Sequence, residues 1–278
     1  MIVRPEAWRR ARRYLVPGAL LVGALAGAGL LSFVWLPYDV LNLDVADKLR
    51  PPSFDHPFGT DQLGRDVVSL IMIGARNSLG VALAAVVLGL GLGVPLGLLA
   101  ASGRGWIDHA VMRLSDVVFA FPAVLTAILI MAVSGPSAWN VVIAVGIFNI
   151  PVFAKVARGA ALVQWELPYI FAARVAGKGA AAISLEHVLP NVAGIITAQA
   201  AVQFSMGVIA EAGLSYIGLG VQPPDQSWGR MLNEAQTLIA LAPHLVVFPG
   251  LAILLAVLGF NLLGEGLHAA FDPRLARR

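Results

Sequence analysis

Long apolar runs alternate with short polar stretches along this chain, and the spacing predicts its architecture. A helix needs about 20 mostly apolar residues to cross the hydrocarbon of a bilayer. Six stretches reach that length, at roughly 15–37, 77–101, 108–134, 138–160, 188–216 and 243–267. The pattern predicts an all-α integral membrane protein with six transmembrane helices. The first run follows a basic leader, "RPEAWRRARRY", and is longer than the apolar stretch of a typical secretory signal. It reads as a retained signal-anchor helix.

Composition agrees with that solvent. Of the 278 residues, 58% are hydrophobic and 13% charged, with a mean hydropathy of +0.81. An ordinary soluble domain carries about 25% charged residues. No cysteine is present, which excludes disulfides, iron–sulfur clusters and cysteine zinc sites. The basic residues flank apolar runs and form no stripe along a polar face, so no nucleic-acid partner is expected.

Charge placement predicts orientation. Arg4, Arg9, Arg10, Arg12 and Arg13 precede the first run, and Arg274, Arg277 and Arg278 close the chain. An even number of spans puts both termini on one side, and the positive-inside bias makes that side the cytoplasm. The stretch from Tyr38 to Arg76, with Asp39, Asp44, Asp47, Asp55, Asp61 and Asp66, then lies outside. The stretch between the fourth and fifth runs lies inside, near Lys155, Arg158, Arg174 and Lys178. Residues 1–76 are expected to form the anchor helix with its extracytoplasmic loop, and 77–278 a core of five spans.

Gly89, Gly93 and Gly97 in the second run, and Gly23 and Gly27 in the first, repeat at four-residue spacing. Small residues at that spacing let another helix approach closely, and ordinary bundle packing accounts for them. Pro95, Pro122 and Pro151 interrupt runs and are expected to kink or loosen them.

The inside stretch "YIFAARVAGKGAAAISLEHVLPN" is more structured than a connector needs to be. Ala172, Ala173 and Ala176 favour helix, Gly177 and Gly179 permit a sharp turn, and Ala180 to Val188 suits a second short helix. Leu189-Pro190 then opens the next span, since proline is tolerated in a helix's first turn. The expectation is a helical knuckle projecting from the membrane. Gly177-Lys178 is no phosphate loop: Ala172 stands where the first glycine is needed, and Gly179 replaces the magnesium-holding hydroxyl. His56, His109, His187, His244 and His268 show no metal-ligand spacing; His187 reads as a local hydrogen-bonder. No nucleophile elbow or paired catalytic set occurs, so no catalytic residue, cofactor or metal is expected.

Charges at membrane depth are costly and each is a functional candidate. Asp116 is three residues from Arg113, which predicts a structural ion pair. Glu211 is expected near the outer end of the fifth span, lining a substrate route or bonding the turn beyond. "GTDQLGRDVVSLIMIGARNS" reads as a turn followed by a helix on the outer surface. Its Asp61, Arg65 and Asp66 either pair with one another or receive a binding protein. "GVQPPDQSWGRMLNEA" reads as a short outer helix shaping a gate, with Trp228 as an interfacial anchor.

Several long motifs in order resemble one family. The inside stretch resembles the Glu-Ala-Ala…Gly…Ile-x-Leu-Pro loop of permease subunits in bacterial ABC importers, with Ala172, Ala173, Gly177 and Leu189-Pro190 matching. Phe171 departs, because the family usually has glutamate there. "HPFGTDQLGRDV" (56–67), "LSYIGLGVQPP" (214–224), "FPGLAILLAVLGFNLLGEGL" (248–267) and "FDPRL" resemble the C-type permease subunit of the dipeptide, oligopeptide and nickel branch. That resemblance implies a type I importer permease fold in the bacterial inner membrane. It also implies a homologous partner permease, two ATP-binding subunits that hydrolyse ATP, and an extracytoplasmic solute-binding protein. The loop at about 161–190 would be the coupling element. In it Phe171, Ala172, Ala173, Arg174, Gly177, Lys178, Leu189 and Pro190 would serve ATPase coupling, and Phe171 would offer apolar burial in place of the missing acid. Glu211 and Trp228 are pathway or gate candidates. Di- and oligopeptides lead as substrate, with nickel or a nickel chelate as the alternative and glutathione, opines or sugars also open. A passive channel or a scaffold subunit is the different-class alternative.

Overall fold

The computed structural model describes residues 5–271, with side chains from Ala11 onward. Arg4, Arg274, Arg277 and Arg278, the side chains of Arg9 and Arg10, and most of "FDPRL" lie outside the described residues. The described chain is helical throughout, apart from loops and one isolated bridge between Thr60 and Asp66. Its helices are α1 (Pro5–Leu31), α2 (Val67–Gly103), α3 (Gly105–Ala120), α4 (Ala123–Ser134), α5 (Ala138–Trp165), α6 (Pro168–Val175), α7 (Ala180–Ile183), α8 (Leu189–Tyr216), α9 (Trp228–Ala235) and α10 (His244–Phe271).

Five helices are long and apolar enough to cross a membrane, and the α3–α4 pair makes a sixth crossing if counted as one. The run expected at 108–134 is not a single straight span. Helices α3 and α4 meet at 81°, because Phe121 is extended and Pro122, which has no N–H, caps α4. Neither piece alone covers about 30 Å of hydrocarbon at 1.5 Å per residue. Pro95 and Pro151 instead sit inside continuous helices.

Helix α2 also departs from expectation. The surface helix and the span expected from position 77 are one unbroken helix of 37 residues, and the division at 76/77 falls within it. Asp66 caps its start, accepting from the Ser69 backbone N–H at 2.8 Å, and no proline interrupts the chain until Pro95.

The glycine stripe of α2 is a close-packing seam. A Cβ on Gly89 would lie 2.2 Å from Asn149 Cβ, and one on Gly93 or Gly97 would lie 2.4 Å from a carbonyl oxygen of α5. Gly23 and Gly27, by contrast, face open space. Helix α1 instead meets α10 through Gly18, which abuts the Gly259 carbonyl, and through Leu15, which abuts Gly266. These pairings run antiparallel, so both ends of the described chain lie at the same end of the bundle as α6. The 38–66 loop and α9 lie at the other end. Between them, Asn149 of α5 accepts from Gln203 Nε2 of α8 at 2.8 Å and reaches the Ala85 carbonyl of α2 at 3.4 Å. This polar contact ties three spans together at membrane depth.

Candidate functional site

The knuckle is built from local rules. Pro168 occupies the first turn of α6, where its missing N–H costs nothing. The helix ends in a Schellman motif: Lys178 N–H donates to Ala173 O at 3.1 Å and Gly177 N–H to Arg174 O at 2.9 Å. Gly177 takes φ +83°, the left-handed conformation that this ending requires. Ile170, fully buried, pins α6 to the bundle. Phe171, Ala172, Arg174 and Val175 are exposed, and Val175 is 89% so.

The return segment is not a separate short helix as expected. From Ala180 it runs through a π turn at Ser184–Val188 straight into α8, with Leu189 N–H donating to Ser184 O. Pro190 cannot donate to a carbonyl four residues back, and widening the preceding turn absorbs that loss. Lys178 Nζ is paired with Glu186 and lies 3.1 Å from His187 Nε2, so His187 bonds locally. Tyr169 donates to Gln164 Oε1 at 2.7 Å. Burial raises the Tyr169 phenol above its ordinary pKa.

At the opposite end Asp61 pairs with Arg65, which reaches α9, while Asp66 is held separately by His56 and Ser69. Asp61 Oδ1 accepts from the backbone N–H groups of Leu63 and Arg65, at 2.8 and 2.9 Å. Asp61 Oδ2 accepts from Arg65 Nε at 2.7 Å. Arg65 Nη2 reaches Glu234 of α9 at 3.4 Å, and Arg230 Nε holds the same carboxylate at 2.8 Å. Asp66 Oδ1 lies 3.0 Å from His56 Nδ1. With Asp61 6% and Asp66 2% exposed, these carboxylates hold the loop in shape and offer little surface to a binding protein.

Trp228 is not an interfacial anchor. It is fully buried, and its indole covers Gly74 of α2 so closely that a Cβ there would be 2.6 Å from Cδ1. Its Nε1 donates to the Ile71 carbonyl at 3.1 Å and its backbone N–H to Ser78 Oγ at 3.2 Å. Gly229 presses on Ala212 of α8. Helix α9 is therefore wedged between α2 and α8. Glu211 lies in that wedge, fully buried. Its Oε1 accepts from Ser215 Oγ at 2.6 Å, and Ser215 Oγ in turn accepts from the Val221 N–H at 3.2 Å. The contact to the turn beyond the span exists, relayed through Ser215.

Sequence reasoning paired Asp116 with Arg113, but Asp116 is held by Lys155 of α5 at 2.8 Å. Lys155 also lies 4.6 Å from the Phe119 ring centroid, which fixes its reach towards α3. The Asp108–Arg158 and Arg104–Glu166 pairs were missed altogether. Their partners are 50 and 62 residues apart, so no local spacing could reveal them. Among the described residues no group of three His, Cys, Asp or Glu side chains is placed to hold a metal.

Comparison with known proteins gives this arrangement its setting. Residues 93–277 match the family described as binding-protein-dependent transport system inner membrane component. The glutathione transport system permease protein GsiD of Pectobacterium atrosepticum is 44% identical over 273 residues, covering 97% of this chain and 91% of that protein. GsiD proteins of Escherichia coli and Shigella boydii are also 44% identical, covering 97% of this chain and 90% of theirs. With a helical bundle of five to six apolar crossings and this match across nearly its whole length, the chain belongs to the inner-membrane components of binding-protein-dependent transport systems, as a multi-pass permease subunit of a bacterial ABC importer of the peptide/nickel type.

Proposed function

We propose that this chain forms half of the pathway of an ATP-driven importer for glutathione or a short peptide of similar chemistry. The observation that carries the substrate class is 44% identity over 97% of the chain to permeases named for glutathione transport. It favours the peptide expectation over nickel.

In this reading the α6 knuckle faces the cytoplasm and engages an ATP-binding subunit. The gathering of Arg104, Lys155, Arg158, Arg174 and Lys178 towards that end supports the orientation. Phe171, Ala172 and Arg174 supply the exposed face. Ala173, Gly177 and Lys178 set its ending, and Leu189 and Pro190 join it to α8. A short, well-anchored helix with an exposed apolar side chain and no acidic residue suits a groove that is itself partly apolar. Two such ATPase subunits, a homologous permease and an extracytoplasmic binding protein complete the machine. Nucleotide then shifts the equilibrium of the bundle through contacts that differ between its two states.

Glu211 and Trp228 act on the gate from within, by fixing α9 against α2 and α8. Asp61, Arg65 and Asp66 serve the binding protein indirectly, by shaping the loop it meets. Helix α1 acts as a peripheral anchor on the rest of the bundle, a reading supported by the exposure of much of its apolar surface, with Leu20 at 69% and Leu30 at 68%.

The test is uptake by proteoliposomes holding the whole complex, with labelled glutathione, a dipeptide and nickel offered separately. ATP-dependent glutathione uptake that needs the binding protein is expected. Nickel uptake without peptide uptake would overturn the substrate, and uptake indifferent to ATP would return the passive-channel alternative.

A further inference from the structure

A pocket of about 380 Å³ opens where the knuckle meets the ends of two spans. Its walls include Arg104 at the end of α2, Trp165 at the end of α5, and Arg174 and Lys178 of the knuckle. Arg104 is matched by Glu166 and Lys178 by Glu186, but Arg174 meets no carboxylate among the described residues. The Arg174 guanidinium carbon instead lies 4.8 Å from the Trp165 ring centroid. Trp165 is 2% exposed, and its indole Nε1–H has no hydrogen-bond acceptor among the described residues. A buried donor without an acceptor is unusual in a folded protein and marks a missing partner.

We propose that this pocket binds the phosphate of an anionic phospholipid of the inner leaflet. Phosphate oxygens would accept from Trp165 Nε1 and from the Arg174 guanidinium, whose planar fork suits them. The residual positive charge is what an anion would neutralise. A lipid is favoured over free phosphate by position, because the pocket is walled by Arg104 and Trp165, at the C-terminal ends of two helices long and apolar enough to cross a membrane. Basic pockets between spans on the cytoplasmic side are suited to such headgroups. A lipid seated there touches both the knuckle and the span ends, so leaflet composition would tune coupling. The inference rests on the cytoplasmic placement of the knuckle.

The experiment is native mass spectrometry of the delipidated, assembled importer titrated with phosphatidylglycerol, phosphatidylcholine or inorganic phosphate. Trp165→Phe removes the N–H and keeps the ring, and Arg174→Gln removes the charge. Preferential retention of phosphatidylglycerol is expected, reduced about fivefold by each substitution. Equal retention of the two lipids, or retention unchanged in both variants, would overturn the proposal. Displacement by an equal concentration of inorganic phosphate would assign the site to a free anion instead. Binding only after the ATPase subunits are stripped away would assign it to an acidic side chain of that partner. ATPase content, read from the same spectra, tests the knuckle separately, so lipid retention unchanged in both variants with the ATPase still bound refutes the pocket alone.

Discussion

Arg158 of α5 grips Asp108 of α3 with two parallel hydrogen bonds, Nε to Oδ1 and Nη2 to Oδ2, the latter 2.6 Å long. Helix α3 is otherwise lightly held, with Ser115 its one buried residue. The side chains are 30% and 18% exposed, so screening limits the pair's worth to about 1 kcal/mol. A double-mutant cycle with Asp108→Asn and Arg158→Gln, read by denaturant unfolding of the purified complex, should show a coupling of about that size.

At Gly89, Gly93 and Gly97 the α2–α5 seam has no room for a side chain. Gly89→Leu should reduce folded permease sharply, at a cost of about 3 kcal/mol or more, because the clash is with Asn149's backbone and Cβ rather than a flexible tip. Gly91→Ala is the control: nothing lies within 4 Å, and helix propensity makes it neutral or stabilising by up to about 1 kcal/mol. Membrane yield and unfolding midpoints separate the two.

At Gly177 the space is open but the backbone is not. Gly177→Val should strain the left-handed turn by about 1–2 kcal/mol, displace α6 and lower ATPase-coupled uptake. Gly177→Asn should retain most of it, since asparagine tolerates that conformation. Wild-type transport by the valine variant would remove the knuckle from the coupling path.

Phe171 is 47% exposed and stands where the family usually has an acid. Phe171→Ala should weaken ATPase-subunit association by about 1–2 kcal/mol through lost apolar burial. Co-purification at graded salt distinguishes the causes: an apolar contact should weaken little as salt rises, whereas an ionic one would fade.

Glu211→Gln keeps an acceptor for Ser215 and should preserve assembly and uptake within about twofold. Glu211→Leu strands the Ser215 hydroxyl and should loosen α9, costing about 1–3 kcal/mol. If the glutamine variant assembles normally yet fails to transport, Glu211 contacts substrate and the structural role assigned above is wrong.

Features confined to one helix or one turn were legible in the sequence. The apolar runs located the spans, Gly177 marked the turn, and the repeat at Gly89, Gly93 and Gly97 announced close packing. Readings failed where distant segments decide the outcome. Nothing near Trp228 says that Gly74, far earlier in the chain, is shaped to receive it. Asp116 had a plausible neighbour at helical spacing, and a lysine from another helix took its place. Gly23 and Gly27 share the repeat found in α2 yet face open space, because a stripe of small residues specifies a groove and leaves its occupant unnamed.

Helix α2 runs without interruption from the loop held by Asp66 to Arg104 beside the knuckle. Thirty-seven residues at 1.5 Å each make a rod of about 55 Å. A helix without a break tilts or slides largely as one piece, so displacement at one end reappears at the other. A tilt of about 10° about its midpoint would carry each tip about 5 Å, in opposite directions. With α9 bolted to one end by Trp228 and the anion pocket at the other, α2 is a beam that makes the two faces of the membrane mechanically dependent.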